Sequence, residues 1–245
     1  MPSLLRNKYL VIGPIGDLFQ EYFEGFQNSF VLIYKSQRVL KQMSNLRAAN
    51  YPRMSKLRTS TSSVHDQLDK KIMAQSPFES KANYGQFLRY QYHLMKHVES
   101  LYQDVKLAEL IPGLAARDRT QQLTLDFQDL ELSQPEPIQN LEAVTVSQYE
   151  SLGWLYVIEG SKLGAAVLAK EAEKLGLNGE FGARFLAGSD IGRGYHWRQF
   201  MQGIEDAPLN EQQEQAMLAG AQAAFKFANQ LVELSYTQAP SPHAA

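Results

Sequence analysis

The stretch EGSKLGAAV, residues 159–167, lies in the middle of a sequence that otherwise predicts one long buried helix. Gly160 and Gly164 stand one helical turn apart in it, and two alanines follow directly. A glycine in a helix interior costs about 1 kcal/mol relative to alanine, so a pair of them needs a reason. The spacing indicates that the backbone of this helix lies close to another group. A neighbouring helix and a flat ligand both satisfy that requirement.

The predicted helix around this stretch has recognisable ends, and helical patterns continue along the chain. Ser147 and Glu150 form a capping-box pattern at its start, and Gly176 predicts a stop after Leu175. Apolar residues at helical spacing predict further helices over 54–72, 83–105, 117–131 and 195–204, and from residue 210 onward. No segment shows sustained strand alternation. The sequence therefore predicts an all-α fold, a single helical domain around one core.

The first 53 residues differ from the rest of the chain. They are rich in Phe and Tyr and show no clear amphipathic period. We interpret them as an extension, or as upstream sequence read through from a misplaced start, with Met54 as the natural beginning; a small accessory helical segment is the alternative. The predicted organisation is an extension over 1–53, the main domain over 54–236 and a disordered tail over 237–245.

Composition excludes several classes of function. The formal net charge of -2 argues against a general binder of nucleic acid or of a membrane surface. The chain contains no cysteine, which excludes disulfides, zinc–thiolate sites and cysteine nucleophiles. No apolar run approaches the roughly 18–20 residues that span a bilayer, and the start lacks a signal-peptide pattern. We expect a cytoplasmic protein that binds neither nucleic acid nor membrane.

Two of the histidines form a pair at helical spacing. His93 and His97 are four residues apart, which puts both imidazoles on one face of the predicted helix. No third ligand clusters with them in the sequence, so we interpret the pair as partly exposed or packed polar residues of a long helix rather than as a metal site.

His65 is a stronger candidate ligand. It adjoins Val64 on a helix whose apolar side faces the core, so its ring is able to point inward. Arg58 lies two turns earlier on the same face, roughly 10 Å away. An axial nitrogen ligand and a cation at that distance suit haem, which has iron at its centre and propionates at its edge. A satisfied core histidine is the alternative interpretation.

Three stretches taken together resemble the bacterial haem oxygenases, most closely those that extract iron from host haem. They are LRTSTSSVHDQLD (57–69), GWLYVIEGSKLGAAVLAKEAEKL (153–175) and GARFLAGSDIGRGYHWRQF (182–200). The resemblance implies a helical domain that sandwiches haem between a proximal and a distal helix. It also implies oxidative cleavage of haem to biliverdin, carbon monoxide and ferrous iron. Haem would be both substrate and cofactor, with O2 as co-substrate.

The same resemblance implies roles for residues at the iron. His65 matches the proximal ligand, and Gly160 and Gly164 match the pair of glycines over the opposite face of the haem, with Ser161 also at the haem. The glycines would leave room for bound dioxygen and press it towards the ring edge. No acid or histidine occupies residues 160–164, so an ordered water is expected to deliver the proton.

Basic residues are expected to hold the haem propionates. Arg58 matches one such position and Arg198 is the best second one, while Lys162 and Lys170 are weaker candidates. His196 matches no ligand position. Because Arg58 resembles the basic residue of the α-cleaving members, the implied product is α-biliverdin, made during iron acquisition from haem.

Other functions stay open at this point. A haem-binding carrier or sensor could use the same pocket without turnover. A thiaminase-like enzyme shares the general architecture but commonly uses a cysteine nucleophile, and a purely structural helical protein is a further alternative. If the chain is a haem oxygenase, its electrons are expected from a separate donor, a ferredoxin or a flavin reductase, since no reductase domain is recognisable in the sequence.

Overall fold

The computed structural model describes residues 51–138, 145–188 and 192–237, which form helices and no strand beyond isolated bridges at 178–182. The all-α prediction is confirmed. The elements are α1 (Pro52–Met73), α2 (Lys81–Tyr102), α3 (Val105–Leu110), a 3-10 turn (Ala115–Arg117), α4 (Thr120–Asp129), α5 (Gln148–Glu173), α6 (Arg193–Asp206) and α7 (Glu211–Thr237).

The glycine-bearing helix α5 begins where the sequence predicts. The Ser147 hydroxyl accepts a hydrogen bond from the backbone N–H of Glu150 at 3.3 Å, and the Glu150 carboxylate accepts one from the backbone N–H of Ser147 at 2.9 Å. The Ser147 hydroxyl also donates to the Glu150 carboxylate at 2.7 Å, and this bond together with the one from the Ser147 backbone N–H lowers the pKa of Glu150. At the other end the helix finishes at Glu173, two residues before the predicted limit, and Gly176 turns the chain with a φ of 77°.

Helix α7 is the centre of the bundle, and α1, α2 and α5 pack on it. The closest approach is between α5 and α7 at two glycines that the sequence analysis did not single out. A Cβ atom on Gly153 would lie 2.0 Å from the carbonyl oxygen of Met217, and one on Gly220 would lie 2.1 Å from that of Glu150. The role of Gly153 and Gly220 is therefore close helix–helix packing. Gly153 lies two turns before Gly160 on α5.

Helix α1 begins at Pro52, so the predicted boundary at residue 54 falls inside its first turn. The Arg53 guanidinium donates hydrogen bonds to backbone carbonyls at the end of α6, including that of Glu205 at 2.7 Å. The Glu205 carboxylate in turn accepts from the backbone N–H groups of Arg53 and Met54. The predicted extension up to residue 50 lies outside the described residues. So does the predicted tail beyond residue 237, where α7 ends.

Helix α5 is also unusually apolar. Within the described ranges it is the one helix long and apolar enough to cross a membrane by length and composition, a run that the sequence analysis missed. The core helix of a globular domain meets the same criterion, and α5 packs along α7. Only 44% of its most apolar stretch is buried. Most of the remaining residues of that stretch are half-buried, so the described part of the chain covers the helix incompletely.

Candidate functional site

Helices α1 and α5 interact through side chains that lie one turn before the predicted site residues. The Tyr156 hydroxyl of α5 interacts with the Thr61 hydroxyl and with the charge of Arg58, both on α1. Burial raises the pKa of Tyr156, and these two interactions partly oppose the rise. His65 lies one turn beyond Thr61 on α1, and Gly160 lies one turn beyond Tyr156 on α5. These interactions of Tyr156 thus connect the two helices on which the candidate residues stand.

His65 is a surface residue of α1 rather than a core histidine. Its side chain is 41% exposed, and its ring meets Phe225 of α7 edge-on with the centroids 5.5 Å apart. The Nε2 atom lies 3.9 Å from the nearer carboxylate oxygen of Asp69, which is too far for a hydrogen bond. The satisfied-core interpretation therefore does not describe this residue. The ring is packed on Phe225 and is otherwise partly exposed.

The two glycines of residues 159–167 are not packed closely against the described part of the chain. A Cβ atom on Gly164 would have no neighbouring heavy atom of the described chain within 4 Å. One on Gly160 would meet only the ring of Trp197, at 3.7 Å, which is an ordinary contact distance. Helix packing therefore does not account for Gly160 and Gly164, in contrast to Gly153. They leave a bare strip of backbone along apolar helix α5.

A buried ionic cluster lies directly beside this strip. The Glu159 carboxylate accepts hydrogen bonds from the Tyr102 hydroxyl at 2.8 Å, from Lys162 Nζ at 2.5 Å and from Arg117 Nη1 at 3.2 Å. The Glu159 and Arg117 side chains are each only 3% exposed. Burial lowers the pKa of Lys162, and its contact with Glu159 partly offsets this. Burial likewise raises the pKa of Tyr102 well above its usual value, with the charge of Glu159 adding to the rise.

Comparison with known proteins identifies the family. Residues 53–234 match the sequence profile of the family described as heme oxygenase. Heme oxygenase PigA of Pseudomonas aeruginosa is 38% identical over 184 residues, which cover 75% of this chain and 93% of PigA. The chain belongs to the haem oxygenase family. The NO- and CO-bound crystal structures of the Neisseria meningitidis heme oxygenase agree, with a TM-score of 0.71 and 36% identity over 78% of this chain and 96% of that one.

This haem oxygenase is therefore an enzyme that binds haem as its substrate and cleaves it oxidatively, with iron and biliverdin following from the reaction. The predictions of family, fold and enzymatic class are confirmed. The non-catalytic carrier, the thiaminase-like enzyme and the purely structural protein were the wrong alternatives.

The cations considered for the propionates have different surroundings. Lys162 donates to Glu159, to Tyr102 and to the backbone carbonyl of Arg117, so its ammonium is held inside the haem oxygenase bundle. Arg198 is exposed on α6, where its guanidinium lies back along its own helix beside Gly194. Lys170 is exposed on α5. The charge of Arg58 on α1 acts on Tyr156 of α5 and lowers the pKa of that hydroxyl.

The remaining candidates have local roles. Ser161 is exposed, and its hydroxyl donates to the carbonyl of Ile158 in its own helix at 2.8 Å. His97 stacks on Phe227 with ring centroids 3.9 Å apart, and the described residues of this haem oxygenase hold no cluster of three or more metal-ligating side chains. For His97, the stacking on Phe227 agrees with the interpretation as a packed residue.

Sequence reasoning missed Arg117 and Tyr156. Tyr156 precedes Gly160 by one helical turn, so the spacing alone could have placed it on the glycine face. Arg117 ends a three-residue turn just before α4, although the sequence predicted a helix from residue 117, and no sequence signal connects it to Glu159, 42 residues later.

Proposed function

We propose that haem lies between α1 and α5, with His65 as the axial ligand of the iron and with Gly160 and Gly164 over the opposite face. The observation that carries this proposal is the open space at Gly164, because a helix does not otherwise keep a bare glycine strip on an apolar surface. The partly exposed side chain of His65 supports the same arrangement, since it lies on the helix whose Thr61 and Arg58 interact with Tyr156 of α5.

The residues present suit a haem. A neutral imidazole is a standard axial ligand, and apolar surface on α5 suits the face of a macrocycle. Bound haem supplies the iron at which O2 is reduced and the ring that is cleaved. Gly160 and Gly164 keep room for dioxygen between the helix backbone and the ring. The Lys162 ammonium is bound to Glu159 and does not face that space. Residues 160–164 include no acid and no histidine. A water molecule would deliver the proton.

Propionate binding at Arg58 would set which bridge of the ring is cut. Arginine binds a carboxylate with two parallel hydrogen bonds, so it fixes the rotation of the haem in its plane firmly. The charge of Arg58 also acts on the Tyr156 hydroxyl, which would be a further hydrogen-bond donor for a propionate. Lys162 is engaged elsewhere, which leaves Arg198 and Lys170 as rival anchors. The product would be α-biliverdin.

The setting of the reaction completes the proposal. Electrons would come from a separate protein, a ferredoxin or a flavin reductase, since the family resemblance covers one haem oxygenase domain and no reductase. The reaction would serve iron acquisition from haem in the cytoplasm.

A titration with haemin tests the assignment of His65. The full chain should develop the absorption band of a histidine-ligated ferric haem, and adding reductant in air should replace that band with the spectrum of biliverdin. His65→Ala should lose the native ferric spectrum and the turnover, although apolar surface still holds haem weakly. His93→Ala is the matched control and should keep both. A native spectrum and normal biliverdin output in His65→Ala would show that another residue binds the iron.

A further inference from the structure

Arg117 connects three segments of the bundle from a buried position. Its Nη1 atom donates to the Glu159 carboxylate of α5 at 3.2 Å and to the backbone carbonyl of His196 in α6 at 3.0 Å. Its Nη2 atom donates to the carbonyl of Pro112 at 3.3 Å. The Arg117 backbone carbonyl accepts a hydrogen bond from Lys162 of α5 at 2.6 Å. One guanidinium therefore ties α5 to the first turns of α6.

The two points that Arg117 joins lie beside the space over Gly160, which we call the distal face. Glu159 directly precedes Gly160, and His196 directly precedes Trp197. The Trp197 ring is the one group of the described chain that a Cβ atom on Gly160 would meet. The same ring stacks on Phe200 with centroids 5.5 Å apart and tilts against Tyr156 at 6.1 Å. The separation between α5 and this ring thus decides how much space remains over Gly160.

We infer that Arg117 is a positioning residue for the distal face, which fixes the Trp197 ring at its distance from Gly160 and so shapes the space in which dioxygen meets the haem edge. The inference rests on the proposed haem site between α1 and α5. Only the planar guanidinium, with several donors in a fixed fork, reaches a carboxylate and two carbonyls at once. A lysine at this position would keep the charge beside Glu159 and lose the tie to α6.

Tryptophan fluorescence of the haem-free full chain tests the geometric part without any turnover. The chain has two tryptophans, so Trp154→Phe leaves Trp197 as the single reporter. In that background Arg117→Met should raise the acrylamide quenching constant of Trp197 about twofold or more, because a ring released from its packing opens on the timescale of side-chain and loop motion. Tyr102→Phe is the matched control: it removes one hydrogen bond to Glu159 and leaves the tie to α6, so quenching should not change.

Unchanged quenching in a folded Arg117→Met protein, or an equal rise in Tyr102→Phe, would overturn the geometric link. If Arg117→Met does not fold, Arg117→Lys takes its place. The same rise is expected there, and its absence has the same meaning.

Product yield tests the consequence for the reaction. The biliverdin formed per O2 consumed should fall about tenfold or more in Arg117→Met, since a displacement of about 1 Å at a reacting centre costs up to a hundredfold. The ferric spectrum set by His65 should not change, and Tyr102→Phe should keep its yield. A normal yield in Arg117→Met overturns the role in the reaction. Failure of the unmodified chain to convert haem instead refutes the proposed haem site, while the quenching result still decides the link from Arg117 to Trp197.

Discussion

Arg53 and Glu205 cap the ends of each other's helices. The Glu205 carboxylate accepts from the first N–H groups of α1, while the Arg53 guanidinium donates to the last carbonyls of α6 and to Glu214. A carboxylate at a helix N-terminus and a cation at a C-terminus both oppose the helix dipole. This reciprocal cap closes α1 onto α6, the two helices that carry His65 and Trp197.

The cap predicts where the chain can be shortened. A chain that begins at Tyr51 should fold and bind haem like the full chain, because α1 and its cap are complete. A chain that begins at Met54 lacks Arg53 and should lose about 1 to 3 kcal/mol of unfolding free energy, the usual effect of removing hydrogen bonds to a charged group. Denaturant unfolding of both chains measures the difference. Arg53→Met in the full chain is the control and should reproduce the loss; equal stability of the two shortened chains contradicts the role of the cap.

Substitution of Gly164 should have opposite effects on the stability of the haem-free protein and on its activity. An alanine there finds open space and removes the cost of a helical glycine, so Gly164→Ala should raise the unfolding free energy of the haem-free protein by up to about 1 kcal/mol. The added methyl group narrows the space over the haem, so biliverdin formation should slow, and Gly164→Leu should stop it. Thermal unfolding and turnover assays check the two effects separately.

Gly153→Ala provides the contrast, because its Cβ atom would meet the backbone of α7. The Gly153→Ala variant should have a lower unfolding free energy than the unmodified protein, whatever its effect on turnover. Normal turnover in Gly164→Leu would show that no ligand lies against this part of α5.

Asp126 predicts a measurable dependence of stability on pH. Its buried carboxylate accepts hydrogen bonds from the backbone N–H groups of Arg184 at 2.7 Å and Phe185 at 2.9 Å, and so holds the loop after α5. Burial raises the pKa of Asp126 from 3.8 to about 6, although these two bonds oppose the rise. The folded protein therefore keeps a proton that the unfolded chain has already lost. The stability from this group is complete below pH 3.8 and is lost as the pH rises through about 6.

Comparison with Asp126→Asn isolates the effect of that one carboxyl. The unfolding free energy of the unmodified protein minus that of the variant should decrease by on the order of 2 to 3 kcal/mol as the pH rises from 4 to 7. Glu150 and Glu214, whose pKa values are lowered in the folded protein, produce the opposite trend in both proteins and cancel in the difference. A difference that stays constant over this range would place the pKa of Asp126 near its ordinary value.

Local patterns in the sequence predicted the ends of helices reliably, whereas contacts between residues far apart in the chain left no recognisable pattern. The capping box at Ser147 and the stop at Gly176 fixed the ends of α5 to within two residues, since caps depend on neighbours in the chain. The crossing of Gly153 with Gly220 is invisible in the sequence, because a glycine does not reveal which distant backbone approaches it. For the same reason the sequence did not reveal the hydrogen bonds from Arg117 to Glu159 and to α6. Lys162 was considered for the propionates because its charge was visible, whereas its buried partner Tyr102 was not.

The regiochemistry of cleavage depends on Arg58. If its guanidinium holds a propionate, the haem has one rotation in its plane and the product is mainly α-biliverdin. Arg58→Gln removes the charge and keeps much of the side chain's length, so the haem should take more than one rotation and the product should become a mixture of isomers. Chromatography against the biliverdin isomers measures the ratio. Arg198→Gln and Lys170→Gln are the controls, and each should leave the ratio unchanged. A mainly β or δ product from the unmodified protein, or a shift caused by Arg198→Gln alone, would assign the propionate to a cation other than Arg58.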